Sequence, residues 1–573
     1  ISTLPAEGYV LRATPQGVRI VARDSRGLVH GLCTLFQAIE SHYAQTFELA
    51  APTMDVVDWP SLPIRAVSIS IPTGRWGYPN DAPVDPIFFR DFLFRTVVMQ
   101  KMNMVVLIVE QAMQYESHPK VSGPAAWPKE TIGLIFDNMR RYGVEPVPLC
   151  NSLGHANWCA IPYRRLAEDG DVHQFCTSNP ETKRVLLDIY QEIVDMVEPK
   201  YFHIGMDEIR WKTHTLPKEE RCRLCAGKDK RDIFAEWVEM LRDFFAKQGI
   251  EVMMWGDMVL PDHNGGAPYH LSDALVRVPR DIVICNWSTA LAPTSSYWFK
   301  QRGFQVIKAN SRGATRQEQD WIVGNMMGIW YKVPWLMEGT GSKLAAYTYP
   351  SILEAAEYSW NFWPDPFNPI VPLTNDFLRA RPRAQWRIAA APVPRAQPPE
   401  PVALPDAESI EGIPDGEVEF AGLRFVLRGS ALAPKPGGEA RVEINRPVAA
   451  LYLLHAAELP DRQAMIEALK PSESWEGVHI GGYEIQYASG RTKSIPIRYP
   501  MEVRAPQPGW CRVPVAHRAL GVYPDTCQAA GKHLYAVQWV NPRLDDEVKS
   551  VTLRVAEGPA RPMLVGLAIQ EPR

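Results

Sequence analysis

The chain has 573 residues, too many for one hydrophobic core, so a multidomain protein is expected. Its apolar fraction of 46% is ordinary for a globular protein, and a net charge of −4 leaves no basic footprint for a nucleic acid. No apolar run reaches the length of a membrane-spanning helix.

Residues 1–60 predict a small α+β domain. The runs 8–13 and 17–22 alternate like two hairpin-linked strands, and 27–39 has helical apolar spacing. From 61 to 370 strands and helices alternate with the size and rhythm of a (β/α)8 TIM barrel, an α/β fold. Eight strands are expected, at 65–71, 104–109, 145–149, 201–204, 251–255, 282–287, 305–309 and 327–330. Amphipathic stretches such as 183–197 and 233–248 lie between them. Residues 371–414, rich in Pro and Ala, predict an extended linker. Short alternating runs fill 415–573 and predict an antiparallel β-sandwich, which either binds carbohydrate or braces the barrel.

Eighteen Trp suit sugar binding, where indoles stack on pyranose faces, and they suit large cores equally. The nine Cys follow no disulfide-scaffold rhythm. Cys222 and Cys225 form a single CxxC: half of a zinc site with His214 or Cys176, a local disulfide, or two unrelated thiols. The chain opens on Ile1, so its true start is expected upstream and no signal peptide can be read. A secreted or periplasmic location is favoured over the cytoplasm.

The chemistry centres on residues 201–211. Tyr201, Phe202, His203 and Ile204 read as a buried strand that ends at Gly205, where the backbone bends freely. Asp207 and Glu208 follow at once. Neighbours in a strand point to opposite faces, so both acids share a site only if the strand has ended there. A carboxylate pair at the C-terminal end of a barrel strand sits where such barrels keep their chemistry. The blander alternative is an exposed Asp-Glu pair capping the next helix.

The string His203-Ile204-Gly205-Met206-Asp207-Glu208 resembles the H-x-G-G-D-E motif of glycoside hydrolase family 20, the β-N-acetylhexosaminidases, with Met206 at the second Gly. The resemblance extends over about residues 8–365, its first part being like the non-catalytic domain before that family's barrel. It implies that Glu208 is the general acid/base, its pKa raised by burial and by the charge of Asp207. It implies that Asp207 holds the substrate's own 2-acetamido group, whose oxygen attacks the anomeric carbon to give an oxazolinium ion. His155, in Gly154-His155-Ala156, matches the family's P-G-H segment and is expected to bridge Glu110 and Glu208. Glu110 stands near the end of strand 2, where typical members carry two His and an Asp.

For the sugar, the resemblance implies Arg75 on the hydroxyls and Trp255, Trp287 and Trp330 as a box around the acetamido methyl. Asp257 and Asn310 are counted with these substrate-binding residues. Two departures stand out: Asn310 lies where the family offers a Tyr, and Lys332 replaces an acid after strand 8. Tyr331 or Tyr297 are candidate replacements for the Tyr. Lys332 suits an anionic sugar substituent such as a sulfate. The implied activity is an exo-acting, retaining β-N-acetylhexosaminidase that uses neither metal nor other cofactor. The rivals are a two-carboxylate glycosidase on a sugar without the acetamide, a silent carbohydrate-binding protein, and a zinc-dependent hydrolase built on Cys222 and Cys225.

Overall fold

The computed structural model describes residues 4–46, 50–71, 73, 86–211, 222–290, 294–311, 313–314, 318–329, 345–360, 387–388, 399–405, 407–420, 423–460, 464–465, 478–499, 503, 521–522, 534–541 and 543–572. The chain divides into two units, one running essentially to residue 391 and the other from 392 to the end.

The first unit begins with an antiparallel sheet in the order 387–388, Met54–Asp58, Tyr9–Thr14, Gly17–Ala22. Alternation explains its core: Tyr9, Leu11 and Ala13 point inward with Met54 and Val56, and they meet Ala38 of the helix Ser25–Thr46 and Trp360. Parts of the expected linker are paired in sheets. Residues 387–388 pair with Met54 and Asp55 in this sheet, and Glu400–Val402 pairs with Leu567–Ile569 in the second unit. Pro-rich composition hid these strands because their partners are remote in sequence.

The barrel closes from eight parallel strands: Ile64–Ser70, Met104–Ile108, Glu145–Leu149, Tyr201–His203, Glu251–Trp255, Val283–Asn286, Gln305–Ala309 and Gly324–Ile329. The last pairs with the first, Gly324 against Ile64. A Cβ at Gly324 would lie 2.5 Å from the Ile64 Cβ, so the seam needs glycine. Alternate positions, including Met104, Val106, Ile108, Val147, Leu149, Met253 and Trp255, fill the interior. The positions between them, such as Val105 and Leu107, are buried outside that cluster, which is why the strands read as continuous apolar runs.

Helix Pro180–Val197 starts at Asn179, whose side chain accepts the Glu181 N–H, and helix Lys230–Ala246 starts at Asp229, which accepts from Arg231. Each buries one stripe, Val185, Ile189 and Ile193 in the first and Phe234, Val238 and Leu241 in the second.

The N-terminal domain meets the barrel through buried charge. Arg65 of the first barrel strand is 1% exposed. It pairs with Glu7, and its other N–H groups donate to Lys101 O at 2.9 Å and Leu62 O at 2.8 Å. Glu7 also accepts from Asn103 Nδ2 at 2.9 Å and lies 3.1 Å from His30 Nε2. Burial alone would raise the Glu7 pKa, but the His30 hydrogen bond and the Arg65 charge hold it far below the usual carboxylate range. Burial pushes His30 down to about 4.

The second unit is a β-sandwich. One sheet runs 400–402, 561–570, 450–458, 535–540, 521–522, and the other 439–446, 548–555, 478–487, 492–499. A single core, including Leu451, Leu453, Leu567, Tyr483, Ile485 and Leu553, takes residues from both sheets. Strand Glu439–Arg446 escaped sequence reading because only Val442 of its eight residues is buried.

Candidate active site

After His203 the chain leaves the barrel wall through residues of positive φ. Gly205 has φ 72°, and a Cβ there would sit 2.1 Å from Asn151 Oδ1, so only glycine fits. Met206 follows at φ 79°, a backbone that suits the family's second Gly better than a side chain. Its side chain is fully buried, its sulfur 3.2 Å from Ser152 Oγ. Glu208 is again left-handed at φ 45°. These turns bring Asp207 and Glu208 to one place, which a regular strand forbids.

The loop after strand 3 is fastened alongside. Ser152 Oγ donates to Ile204 O at 2.8 Å, and a Cβ at Gly154 would lie 2.4 Å from Asp207 O. His155, at φ 50°, then faces both acids: its Nε2 is 3.3 Å from Glu208 Oε2 and 3.5 Å from Asp207 Oδ2. Glu110 is buried and accepts Asn151 Nδ2 at 2.7 Å, and its charge acts on His155. Glu110 itself has φ 40° and Asn310 φ 50°, so unusual backbone gathers at this rim.

The protonation pattern reverses one expectation. Glu208 is only partly buried, and its hydrogen bond to His155 holds its pKa below the usual range; the expected rise is absent. Burial lifts Asp207 to about 7; the charges of Asp257 and Glu208 add to the rise and His155 opposes it. Burial would lower His155, but Glu208, Asp207 and Glu110 together lift it to about 9. The resting site therefore carries an imidazolium against an ionised Glu208, with Asp207 near its midpoint.

Asp257 is expected on the substrate, but it is fully buried. Its oxygens accept the Glu208 backbone N–H at 3.0 Å, Asn264 Nδ2 at 2.8 Å and the Trp287 indole N–H at 3.2 Å. It therefore positions Glu208 and Trp287. Trp255 is 1% exposed and packs on His203 with ring centroids 4.4 Å apart, inside the barrel core. His203 is itself buried, pushed down to about 3, and accepts the Gly205 N–H through Nδ1 at 3.1 Å. Trp287 is partly exposed, its ring 4.5 Å from that of His263. Asn310 is exposed at the end of strand 7. Tyr297 stands against Trp321 at 5.3 Å. Arg75, Trp330, Tyr331 and Lys332 lie outside the described residues.

Asn151, His263 and Asn264 went unnoticed as site residues in the sequence. Asn151 sits in the segment that leads to His155, and its neighbour Gly154 was the available signal. His263 and Asn264 belong to the loop after strand 5, which has no spacing pattern to mark them.

Residues 2–59 match the model of glycosyl hydrolase family 20 domain 2, and residues 152–316 match the glycosyl hydrolase family 20 catalytic domain. The second match holds His155, Asp207, Glu208, Asp257, Trp287 and Asn310; Arg75, Glu110, Trp330 and Lys332 fall outside it. Beta-hexosaminidase 1 of Coccidioides posadasii is 24% identical over 337 residues, 53% of this chain and 53% of that protein. The lacto-N-biosidase of Bifidobacterium bifidum is 21% identical over 345 residues, 56% of this chain and 29% of that protein. The chain thus spans about half or less of the length of these curated relatives. The crystal structure of a β-N-acetylhexosaminidase from Bacteroides fragilis aligns over 64% of this chain and 80% of its own, with 20% identity and a TM-score of 0.49. Two models of one family, glycosyl hydrolase family 20, match the chain in order at residues 2–59 and 152–316, which supports a member of that family.

Proposed function

We propose that the protein is a glycoside hydrolase, an exo-acting and retaining β-N-acetylhexosaminidase that releases terminal β-linked GlcNAc or GalNAc. The observation that supports this most directly is the meeting of Asp207 and Glu208 at His155, within 3.5 Å. The name of the Coccidioides posadasii relative, a β-hexosaminidase, agrees with it.

In this reading the proton rests on His155 and passes from its Nε2 to Glu208. Glu208 then protonates the glycosidic oxygen as the acetamido oxygen forms its bond to the anomeric carbon. The aglycone leaves as an alcohol. Asp207, ionised, accepts the amide N–H and steadies the positive charge of the oxazolinium. Water opens that ring, giving its proton to Glu208, and two inversions leave the configuration retained. Trp287, fixed by Asp257, stands beside this chemistry as a wall for the sugar.

A panel of aryl β-glycosides with and without the 2-acetamido group tests the reading. Hydrolysis confined to the acetamido sugars is expected, and equal turnover of plain glucosides would overturn it. Glu208→Gln should remove nearly all activity on aryl β-N-acetylglucosaminide, and Asp207→Asn should leave little; a fully active Asn variant rules out the acetamido mechanism.

A further inference from the structure

We propose that Cys176, Cys222 and Cys225 bind a structural zinc ion that clasps the loops after barrel strands 3 and 4. The fold joins a CxxC to a third cysteine remote in sequence, and the three sulfurs lie within 4.8 Å of one another. Cys176 Sγ is 3.4 Å from Cys222 Sγ and 3.8 Å from Cys225 Sγ. Sulfurs at about 2.3 Å from zinc in a tetrahedron stand about 3.8 Å apart, whereas a disulfide holds them at about 2.05 Å. All three cysteines are unbridged.

Glu168 lies beside Cys225 although outside that group of three, and a small shift of its carboxylate would make it the fourth ligand. Glu168 Oε2 lies 3.5 Å from Cys225 Sγ, and a sulfur and an oxygen sharing a tetrahedral zinc are separated by about 3.6 Å. The other Glu168 oxygen is engaged by Lys230 Nζ at 3.0 Å, which orients the carboxylate from behind. Three thiolates and a carboxylate around a dication leave two negative charges. Lys230, and Lys228 at 3.0 Å from Ser178 Oγ beside Cys225, offset them. Cys225 and Glu168 are buried, and Cys222 is half-buried. A ligand set filled by the protein is a structural site, so the zinc does not take part in hydrolysis.

The position gives the ion its task. Cys176 follows the strand Asp171–Phe175, which forms a hairpin with Ala167–Glu168; its Gln174 accepts the Arg210 N–H at 3.2 Å and its His173 carbonyl accepts the Ala156 N–H at 3.1 Å. Arg210 follows Glu208 closely, and Ala156 follows His155. The clasp therefore joins the two segments whose meeting creates the site.

The test uses the full chain purified without chelator. Elemental analysis and native mass spectrometry should find one zinc per chain, falling to none in Cys222→Ser/Cys225→Ser, while Glu208→Gln keeps its zinc. Removing the metal with a strong chelator should lower Tm, and zinc chloride should restore it. Should the Ser variant fail to fold, the stripped wild-type chain titrated with cobalt(II) chloride replaces it, and the visible bands of tetrahedral cobalt thiolate are expected. A wild-type chain without zinc that develops no such bands overturns the proposal. So does a Cys176–Cys222 or Cys222–Cys225 disulfide found by peptide mapping. Neither result touches the acetamido reading, which stands on the aryl glycoside panel.

Discussion

The two ends of the barrel each hold a glutamate against a histidine, and the two sites behave in opposite ways. At the lower end Glu7 meets His30, but Arg65 is there too, so the positive charge is already supplied and burial keeps the imidazole neutral, near 4. At the upper end Glu208 meets His155 with Asp207 as the third member, and the imidazole is lifted to about 9. The residue types are alike; burial, with the Arg65 charge added, keeps His30 neutral, whereas three carboxylates outweigh burial at His155. Permanent charge makes a brace, and a shared proton makes a site that can transfer one.

The sharpest way to break this contrast is at the upper end. Glu208→Gln should lower kcat/KM by about 10²–10⁴-fold with little change in Tm, because one transferable proton is lost and no buried cation is stranded. At the lower end the weights exchange. Arg65→Met leaves Glu7 facing a buried gap and should cost about 3–5 kcal/mol of stability, read from denaturant midpoints. Activity per folded molecule should survive it.

Acidity sharpens the comparison further. His155 and Asp207 both have folded pKa values above their ordinary ones, 6.5 and 3.8. Their contributions to stability are full at low pH. They fade as pH rises through about 7 for Asp207 and about 9 for His155. His30, depressed from 6.5 to about 4, and the depressed Glu7 act in the other direction, and their contributions fade as pH falls. Melting curves across pH should show His155→Gln flattening the alkaline limb and His30→Gln flattening the acid limb. Unchanged limbs would remove the stated protonation pattern.

The smallest effect is expected from Asp257→Asn. It keeps the side chain's shape but removes a charge that raises the Asp207 pKa. The acid limb of kcat/KM should move to lower pH, with a rate loss of at most about tenfold from the weakened hold on Glu208.

Much of the barrel was legible because parallel strands covered on both faces appear as unbroken apolar runs. Glu145–Leu149, Glu251–Trp255 and Gln305–Ala309 lie where those runs lie. Asp207 and Glu208 were legible as a pair because Gly205 announced the turn. What sequence withheld depends on distance in space. Arg65 looked like any strand residue, with no sign that Glu7 would bury it. The depressed Glu208 follows from His155 on another loop, and Asp257 became a positioning residue only when the Glu208 N–H was seen to point at it. Cys176 was one candidate partner for the CxxC until the hairpin brought it within reach.

The Glu7–Arg65 pair has a practical consequence for anyone tempted to trim the molecule. The boundary near residue 60 looks like a natural place to cut, yet a barrel released there would carry a guanidinium at its foot without its carboxylate. Two segments that resemble separable modules are, by that one charge, obliged to be inherited and expressed together.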